Sequence, residues 1–175
     1  MESTGFSRKL RIAVLVSGGG TNLQALIDRS SGGELEAQIV VVASDRGDAY
    51  GLVRAAKAGI PHYVVDYDSI LKARDDELST SDFPVDLLEL DASQKILRIG
   101  DTQARLDRLR RLVSAERQLM AALDPYEPDL VCLAGFMRLV SPYFIRHYNR
   151  DGARRILNIH PVSYTHLTLP TIYSV

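Results

Sequence analysis

Residues 10–27, LRIAVLVSGGGTNLQALI, contain the clearest structural pattern of the sequence. The apolar run at 12–16 is too short for a helix and is typical of a strand buried on both faces. Glycines at 18–20 then predict a turn, and helical spacing of apolar residues follows, with Thr21 or Asn22 expected to cap that helix. Backbone N–H groups in such a turn and at a helix start can hold an anion. The stretch therefore predicts a phosphate site, and the alternative is a tight turn without a ligand.

The glycine turn matches neither of two familiar nucleotide-binding motifs. The dinucleotide fingerprint needs a third glycine where this chain has Leu23. The Lys-Ser/Thr pair that ends a Walker loop is absent as well. The segment Ser-Gly-Gly-Gly-Thr-Asn nevertheless combines side-chain hydrogen-bond donors with three residues that have no side chain to shield the backbone N–H groups. A phosphate group therefore remains the predicted ligand.

The composition indicates one globular domain and excludes several classes of protein. The chain has 175 residues, 46% of them hydrophobic, and its 21 basic and 22 acidic side chains nearly cancel. This balance argues against nucleic-acid and membrane partners. Cys132 is the only cysteine, which favours a reducing, cytoplasmic location, and no spacing of His, Cys and carboxylates predicts a metal site. The sequence carries no signal for a particular oligomeric state.

Strand and helix patterns alternate along most of the chain. This alternation predicts an α/β fold, a Rossmann-like parallel sheet flanked by helices. The predicted strands are 12–16, 37–43, 61–65, 129–134 and 153–159. The predicted helices begin at Thr21 and cover 49–58, 102–123 and about 142–148, whereas 85–90 and 95–99 are predicted to pair as a hairpin.

Polar residues at the end of the fifth predicted strand suggest chemistry. Asn158 and His160 are two residues apart, so in a strand they point to the same side with Cα atoms about 6.6 Å apart. Both can donate a hydrogen bond to a carbonyl oxygen, and His can carry a proton near neutral pH. The pair suits acyl transfer to an attacking amine, because no nucleophilic Ser or Cys motif accompanies it. The alternative is a pair that only ties down the strand end.

Four segments together resemble the phosphoribosylglycinamide formyltransferases, the folate-dependent enzymes of purine synthesis. They are VLVSGGGTNLQALID, SDRGDAYGLVRAAKAGIP, YEPDLVCLAGFMRLVSPYF and RILNIHP, at 14–28, 44–61, 126–144 and 155–161. The resemblance implies the formyltransferase fold. It also implies transfer of a formyl group from 10-formyltetrahydrofolate, as co-substrate and without a metal, to the amine of glycinamide ribonucleotide.

The resemblance also assigns roles to individual residues. Asn158 matches the family's oxyanion-stabilising Asn and belongs to the folate site, and His160 matches the catalytic His. The substrate-phosphate loop corresponds to Gly20, Thr21 and Asn22. The folate pocket corresponds to Met137, Arg138, Leu139 and Val140, and a folate-contacting Arg of the family falls at Arg111.

The chain departs from the family in two places. The connection at 66–110 is longer than usual and predicts an insertion within a formyltransferase domain at 1–161. After Pro161 the family continues with a Ser-Leu-Leu-Pro type segment, whereas residues 162–175 read VSYTHLTLPTIYSV and resemble translated adapter sequence. We therefore expect a non-native tail and a fold incomplete at its C-terminal end, without the family's catalytic Asp. Such a fragment is expected to be poorly soluble and inactive alone.

Three other functions remain open at this stage. A formyltetrahydrofolate deformylase shares the strand that carries Asn-Ile-His, but it has no need of a nucleotide-phosphate loop. A non-catalytic nucleotide-binding module would use Asp45, beyond the second strand, to hold a ribose. A non-enzymatic fragment is the third.

Overall fold

The computed structural model describes residues 8–73 and 83–159. Its centre is a parallel sheet with strand order β3-β2-β1-β4-β5. The strands are β1 (Leu10–Val16), β2 (Ala37–Ser44), β3 (His62–Val64), β4 (Leu130–Ala134) and β5 (Ile156–Ile159). The helices are α1 (Thr21–Ser31), α2 (Tyr50–Lys57), α3 (Tyr67–Lys72), α4 (Leu87–Ser93), α5 (Thr102–Leu123) and α6 (Pro142–Tyr148), and a 3₁₀ turn covers Asp124–Tyr126. The predicted α/β fold is confirmed.

Helices cover the sheet on both faces because the side chains of β1 alternate between two apolar cores. Val14 and Val16 pack with Leu23 of α1 and Ala55 of α2. Ala13 and Leu15 belong to the opposite core, in which α3, α5 and α6 take part. Burial on both faces explains why β1, β2 and β4 read as continuous apolar runs.

The hairpin predicted for 85–90 and 95–99 is wrong, because α4 occupies part of that region. Asp86 caps the helix by accepting hydrogen bonds from the backbone N–H groups of Leu88 and Glu89. Leu90 is then fully buried in a small core with Leu109 and Val113 of α5. The cap and this long-range packing outweigh the strand-like composition of the segment.

The fifth strand begins at Ile156 rather than at the predicted residue 153. Asp151 and Gly152 both have positive φ angles, so the chain is still turning there. The side chain of Asn149 also accepts a hydrogen bond from the backbone N–H of Arg155. Among the described residues, none of the helices combines the length and the apolarity that crossing a bilayer requires.

Candidate functional site at the carboxyl edge of the sheet

The predicted site residues follow strands that end at the same edge of the sheet. In register, Leu15 of β1 pairs with Leu133 of β4, which pairs with Asn158 of β5. Asn158 therefore lies two strands, or about 10 Å, from the end of β1. The chain runs from β1 to β2 and β3 on one side, and from β4 to β5 on the other. The gap between β1 and β4 is thus the switch point, where open α/β sheets bind ligands.

The glycine turn after β1 presents an open helix start. Gly20 has a φ of 68° and takes the N-cap position of α1, where no side chain makes a capping hydrogen bond. The first helical bond runs from the N–H of Gln24 to the carbonyl of Gly20 at 2.9 Å. The expectation that Thr21 or Asn22 caps the helix is wrong, because Gly20 precedes them and they already lie in the first turn. The N–H groups of that turn remain directed at the open end, as an anion site requires.

Helix α2 holds the glycine turn in place. The backbone N–H of Gly51 donates to the carbonyl of Gly18 at 2.9 Å, and Nε of Arg54 donates to that of Gly19 at 2.8 Å. A Cβ atom on Gly20 would lie 2.6 Å from the Cα atom of Gly51, so neither backbone tolerates a side chain there. Both carbonyl oxygens thus point toward α2, and they do not face the side of the turn where an anion would bind.

Gly51 and Arg54 were not identified from the sequence, although a signal existed. A glycine inside a helix lowers its stability and indicates close approach by another backbone. The guanidinium of Arg54 also stacks on Tyr50, 5.0 Å from the ring centroid, and donates to the side chain of Gln24 on α1. One arginine therefore connects α2, the glycine turn and α1.

The segment after β4 is tied to the ends of β1 and β2. The backbone N–H of Met137 donates to the Oγ atom of Ser17 at 2.8 Å. The guanidinium of Arg138 reaches Asp45 at 2.5 Å and Asp68 at 2.9 Å. The side chains of Met137 and Leu139 are 70% and 54% exposed. Two of the predicted groups, the glycine loop and the 137–140 segment, are therefore brought together, and apolar side chains remain accessible beside them.

Asp45 is buried in an internal ion pair, so its carboxylate is not accessible to a ribose. Its side chain is 1% exposed, and one carboxylate oxygen accepts the bond from Arg138. Tyr67 lies beneath this pair, fully buried, with the guanidinium 5.8 Å from its ring centroid. Burial, reinforced by the charges of Glu116 and Asp45, raises the pKa of the Tyr67 phenol, which keeps it neutral. The expected role of Asp45 in a non-catalytic nucleotide module is thus not supported.

A second buried carboxylate contacts the C-terminal end of the 137–140 segment. Glu116 of α5 accepts hydrogen bonds from the backbone N–H and the Oγ–H of Ser141, both at 2.5 Å. Burial raises its pKa to about 7, although the two bonds from Ser141 act in the opposite direction. Ser141 is the N-cap of α6, as the sequence predicts. The signal for Glu116 was its position within the apolar stripe of α5, between Val113 and Leu119.

The remaining predicted site residues lie on β5, beyond the described residues and on α5. Asn158 is exposed on β5 at the carboxyl edge. His160 lies outside the described residues. Arg111 is half-buried on α5. Within residues 8–73 and 83–159, no cluster of His, Cys, Asp and Glu could hold a metal ion. Cys132 is buried within β4, and burial raises its pKa to about 11, so it is a packing residue with a protonated thiol.

Known proteins share this arrangement of sequence and fold. Residues 10–163 match the family described as formyl transferase. The chain is 35% identical over 152 residues to the phosphoribosylglycinamide formyltransferase of Escherichia coli. A solved glycinamide ribonucleotide transformylase of Symbiobacterium toebii superposes with a TM-score of 0.58 at 34% identity, covering 89% of this chain and 53% of that one. A formyltetrahydrofolate deformylase of Pseudomonas putida, at 21% identity and a TM-score of 0.54, shares the fold.

The E. coli match covers 87% of this chain and 51% of the relative. The chain thus spans about half the length of that curated relative. The family match itself extends from the first strand through the Asn-Ile-His segment and includes both the glycine turn and the 137–140 segment. With the fold, the order of the motifs and their common edge in agreement, the chain belongs to the formyl transferase family.

Proposed function

We propose that this chain is part of a phosphoribosylglycinamide formyltransferase, which transfers the formyl group of 10-formyltetrahydrofolate to the amine of glycinamide ribonucleotide in purine biosynthesis. The observation that carries the proposal is the open glycine loop beside the 137–140 segment, joined through the 2.8 Å bond from Met137 to Ser17. A nucleotide phosphate and a folate could occupy neighbouring positions there. The similarity to the E. coli formyltransferase supports the same substrates.

In this proposal the substrate phosphate binds at Gly20, Thr21 and Asn22. The uncapped start of α1 supports it, because within the described part of the chain no side chain caps the helix and the N–H groups of its first turn are left for a ligand. The partial positive charge of a helix N-terminus favours a phosphate by electrostatics as well. The carbonyl oxygens of Gly18 and Gly19 accept hydrogen bonds from α2, so they do not face the phosphate and repel it.

The folate is proposed to bind along Met137, Arg138, Leu139 and Val140. Exposed Met137 and Leu139 offer apolar contact to a flat heteroaromatic ring. The guanidinium of Arg138 is held by two carboxylates, so we infer that Arg138 serves the ligand through its backbone. The contribution of Arg111 to this site, the 66–110 insertion and the non-native tail at 162–175 stay predictions. So does a cytoplasmic location, for which the single cysteine is the support.

The reaction needs stabilisation of charge and movement of one proton. The substrate amine attacks the formyl carbon and forms the new C–N bond, and the carbonyl oxygen becomes an oxyanion. The side-chain amide of Asn158 is proposed to donate a hydrogen bond to that oxygen. His160 is proposed to move the proton from the attacking nitrogen to N10 of the folate, as the C–N10 bond breaks and tetrahydrofolate leaves. In the net reaction, the formyl group moves from N10 of the folate to the substrate amine, and one proton moves from the amine to N10.

The test is an assay of formyl transfer and formyl hydrolysis in parallel. Residues 1–161 are joined to the C-terminal half of the E. coli relative, because the chain alone spans about half of that protein. We expect tetrahydrofolate to form only when glycinamide ribonucleotide is present. Formate release without the ribonucleotide would indicate a deformylase instead. No reaction, together with no binding of glycinamide ribonucleotide to the 175-residue chain, would contradict the proposal.

A pair of neighbouring substitutions on β5 tests the catalytic assignment in the same assay. Asn158→Ala removes the proposed oxyanion donor and should lower kcat by about 100-fold or more. Leu157→Ala is the control, because this neighbour is 53% exposed and points to the other side of the strand. Equal effects of the two substitutions would remove Asn158 from the mechanism.

A further inference from the structure

The carboxylate of Glu116 lies inside the apolar core, where a charged group is unusual. Its side chain is fully buried on α5, among residues of the stripe that packs against the sheet. Transfer of a carboxylate into such surroundings is costly unless hydrogen bonds compensate for lost water. Ser141 supplies both bonds, one to each carboxylate oxygen. Among the described residues, burial and then the charge of Glu116 raise the pKa of the phenols of Tyr67 on α3 and Tyr143 on α6.

Ser141 is the point where the 137–140 segment meets α6. Its Oγ atom donates to Glu116 and also accepts from the backbone N–H of Tyr143 at 3.1 Å, which caps the helix. At the other end of the segment, Met137 is tied to Ser17 and Arg138 to Asp45. The backbone of the segment is therefore fixed at both ends, while the side chains of Met137 and Leu139 stay exposed.

We propose that Glu116 is a positioning residue, whose two bonds to Ser141 hold residues 137–140 in the one conformation that accepts the folate. The inference rests on the proposed function for its ligand, whereas the clamp itself is a property of the chain. Glu116 does not touch the ligand and acts through Ser141. An apolar residue at this position would fill the core and leave the end of the segment without its anchor.

Glu116→Leu separates this role from simple core packing. Leucine preserves much of the buried volume, so the variant should stay folded even though one backbone N–H loses its acceptor. In the 175-residue chain we expect amide hydrogen exchange at 137–141 to accelerate at least tenfold, with the amides of β1 and β2 unchanged. Glu116→Gln keeps one acceptor oxygen for the N–H of Ser141 and should largely restore protection.

Two further variants keep the test decisive. Glu89→Leu is the matched control: its carboxylate also contacts α6, through Arg146 at 3.5 Å, but it is 72% exposed and should not alter exchange. Ser141→Ala removes the Oγ atom alone, so it tests the clamp even if Glu116→Leu fails to fold. Unchanged protection at 137–141 in both Glu116→Leu and Ser141→Ala would overturn the proposal.

Kinetics in the completed enzyme distinguish this inference from the proposed function. Glu116→Leu should raise KM for 10-formyltetrahydrofolate about tenfold with little change in kcat or in KM for glycinamide ribonucleotide. An equal loss in all three parameters would show general damage and contradict a positioning role. If the unsubstituted enzyme transfers no formyl group, the proposed function fails, and the exchange experiment still decides whether Glu116 clamps the segment.

Discussion

At the scale of single residues, Gly20 sets the conformation of the glycine turn after β1. Its φ of 68° lies in the left-handed region, and a Cβ atom would meet the Cα atom of Gly51 at 2.6 Å. A Cβ atom on Gly19, one residue earlier, would have no heavy atom within 4 Å, and the φ of Gly19 is not positive. Two adjacent glycines with similar sequence context therefore have different structural requirements.

Alanine substitutions should separate these two glycines. Gly20→Ala combines backbone strain with a steric conflict, so we expect a loss of about 2–3 kcal/mol in the free energy of unfolding. Gly19→Ala should change it by about 0.5 kcal/mol or less. Urea denaturation of the 175-residue chain measures both. Equal values for the two variants would mean that α2 does not hold the loop as described.

The buried Glu116 predicts a pH dependence of stability with a definite sign. Its pKa rises from the ordinary value of 4.5 to about 7 in the folded chain, so the folded state binds more protons between these pH values. As pH rises from about 4.5 to about 7, this carboxyl therefore lowers the free energy of unfolding, by up to about 3 kcal/mol in total. Above about pH 7 its contribution no longer changes with pH.

Glu116→Gln removes this titration. The difference in unfolding free energy between Glu116→Gln and the unsubstituted chain should therefore grow in favour of the variant from about pH 5 to about pH 8. Denaturation curves at several pH values measure it. A difference that stays constant across this range would show that Glu116 titrates near its ordinary pKa.

At the scale of elements, the loop after β4 is coupled to the loop after β2 by the Arg138–Asp45 pair. Asp45 is 1% exposed, so its charge depends on the guanidinium for compensation. Arg46 and Asp48, nearby in sequence, form a pair that is 53% and 70% exposed. Each of these two charges is solvated by water, so neither needs the other for compensation.

Leucine substitutions should distinguish the two pairs. Arg138→Leu leaves a buried carboxylate without its partner, and we expect a loss of about 2–3 kcal/mol in unfolding free energy. Arg46→Leu should leave the urea midpoint unchanged within error. If Arg138→Leu also leaves the urea midpoint unchanged, the ion pair does not couple the two loops.

The elements also show which features a sequence pattern can predict. The buried strands β1, β2 and β4 and the helix α5 depend on local periodicity, and the sequence predicts each of them to within one or two residues. It does not predict helix α4, because the cap at Asp86 and the contact with α5 compete with a strand-like composition. Within the site, the glycine turn is predictable. For Gly51 and Glu116 the sequence offers only a local signal, a glycine inside a helix and a carboxylate in an apolar stripe, and it does not identify their partners, which lie far away in the sequence.

At the scale of the whole molecule, the parallel sheet gathers groups that the chain keeps far apart. The turn after β1, the segment after β4 and Asn158 on β5 reach one edge because β1, β4 and β5 are neighbours in register. At the opposite edge, Arg11, Gln38 and Gly59 line a separate cleft. We expect the substrate to bind at the first edge and not at the second.

Nuclear magnetic resonance of the isotopically labelled chain, titrated with glycinamide ribonucleotide, shows which edge of the sheet binds the substrate. We predict saturable shifts, with one dissociation constant, at the backbone amides of residues 18–22 and at the side-chain amide of Asn158. The amides of Arg11, Gln38 and Gly59 should not move. Shifts confined to the second edge, or no saturable shift in the glycine turn, would rule out substrate binding at the carboxyl edge.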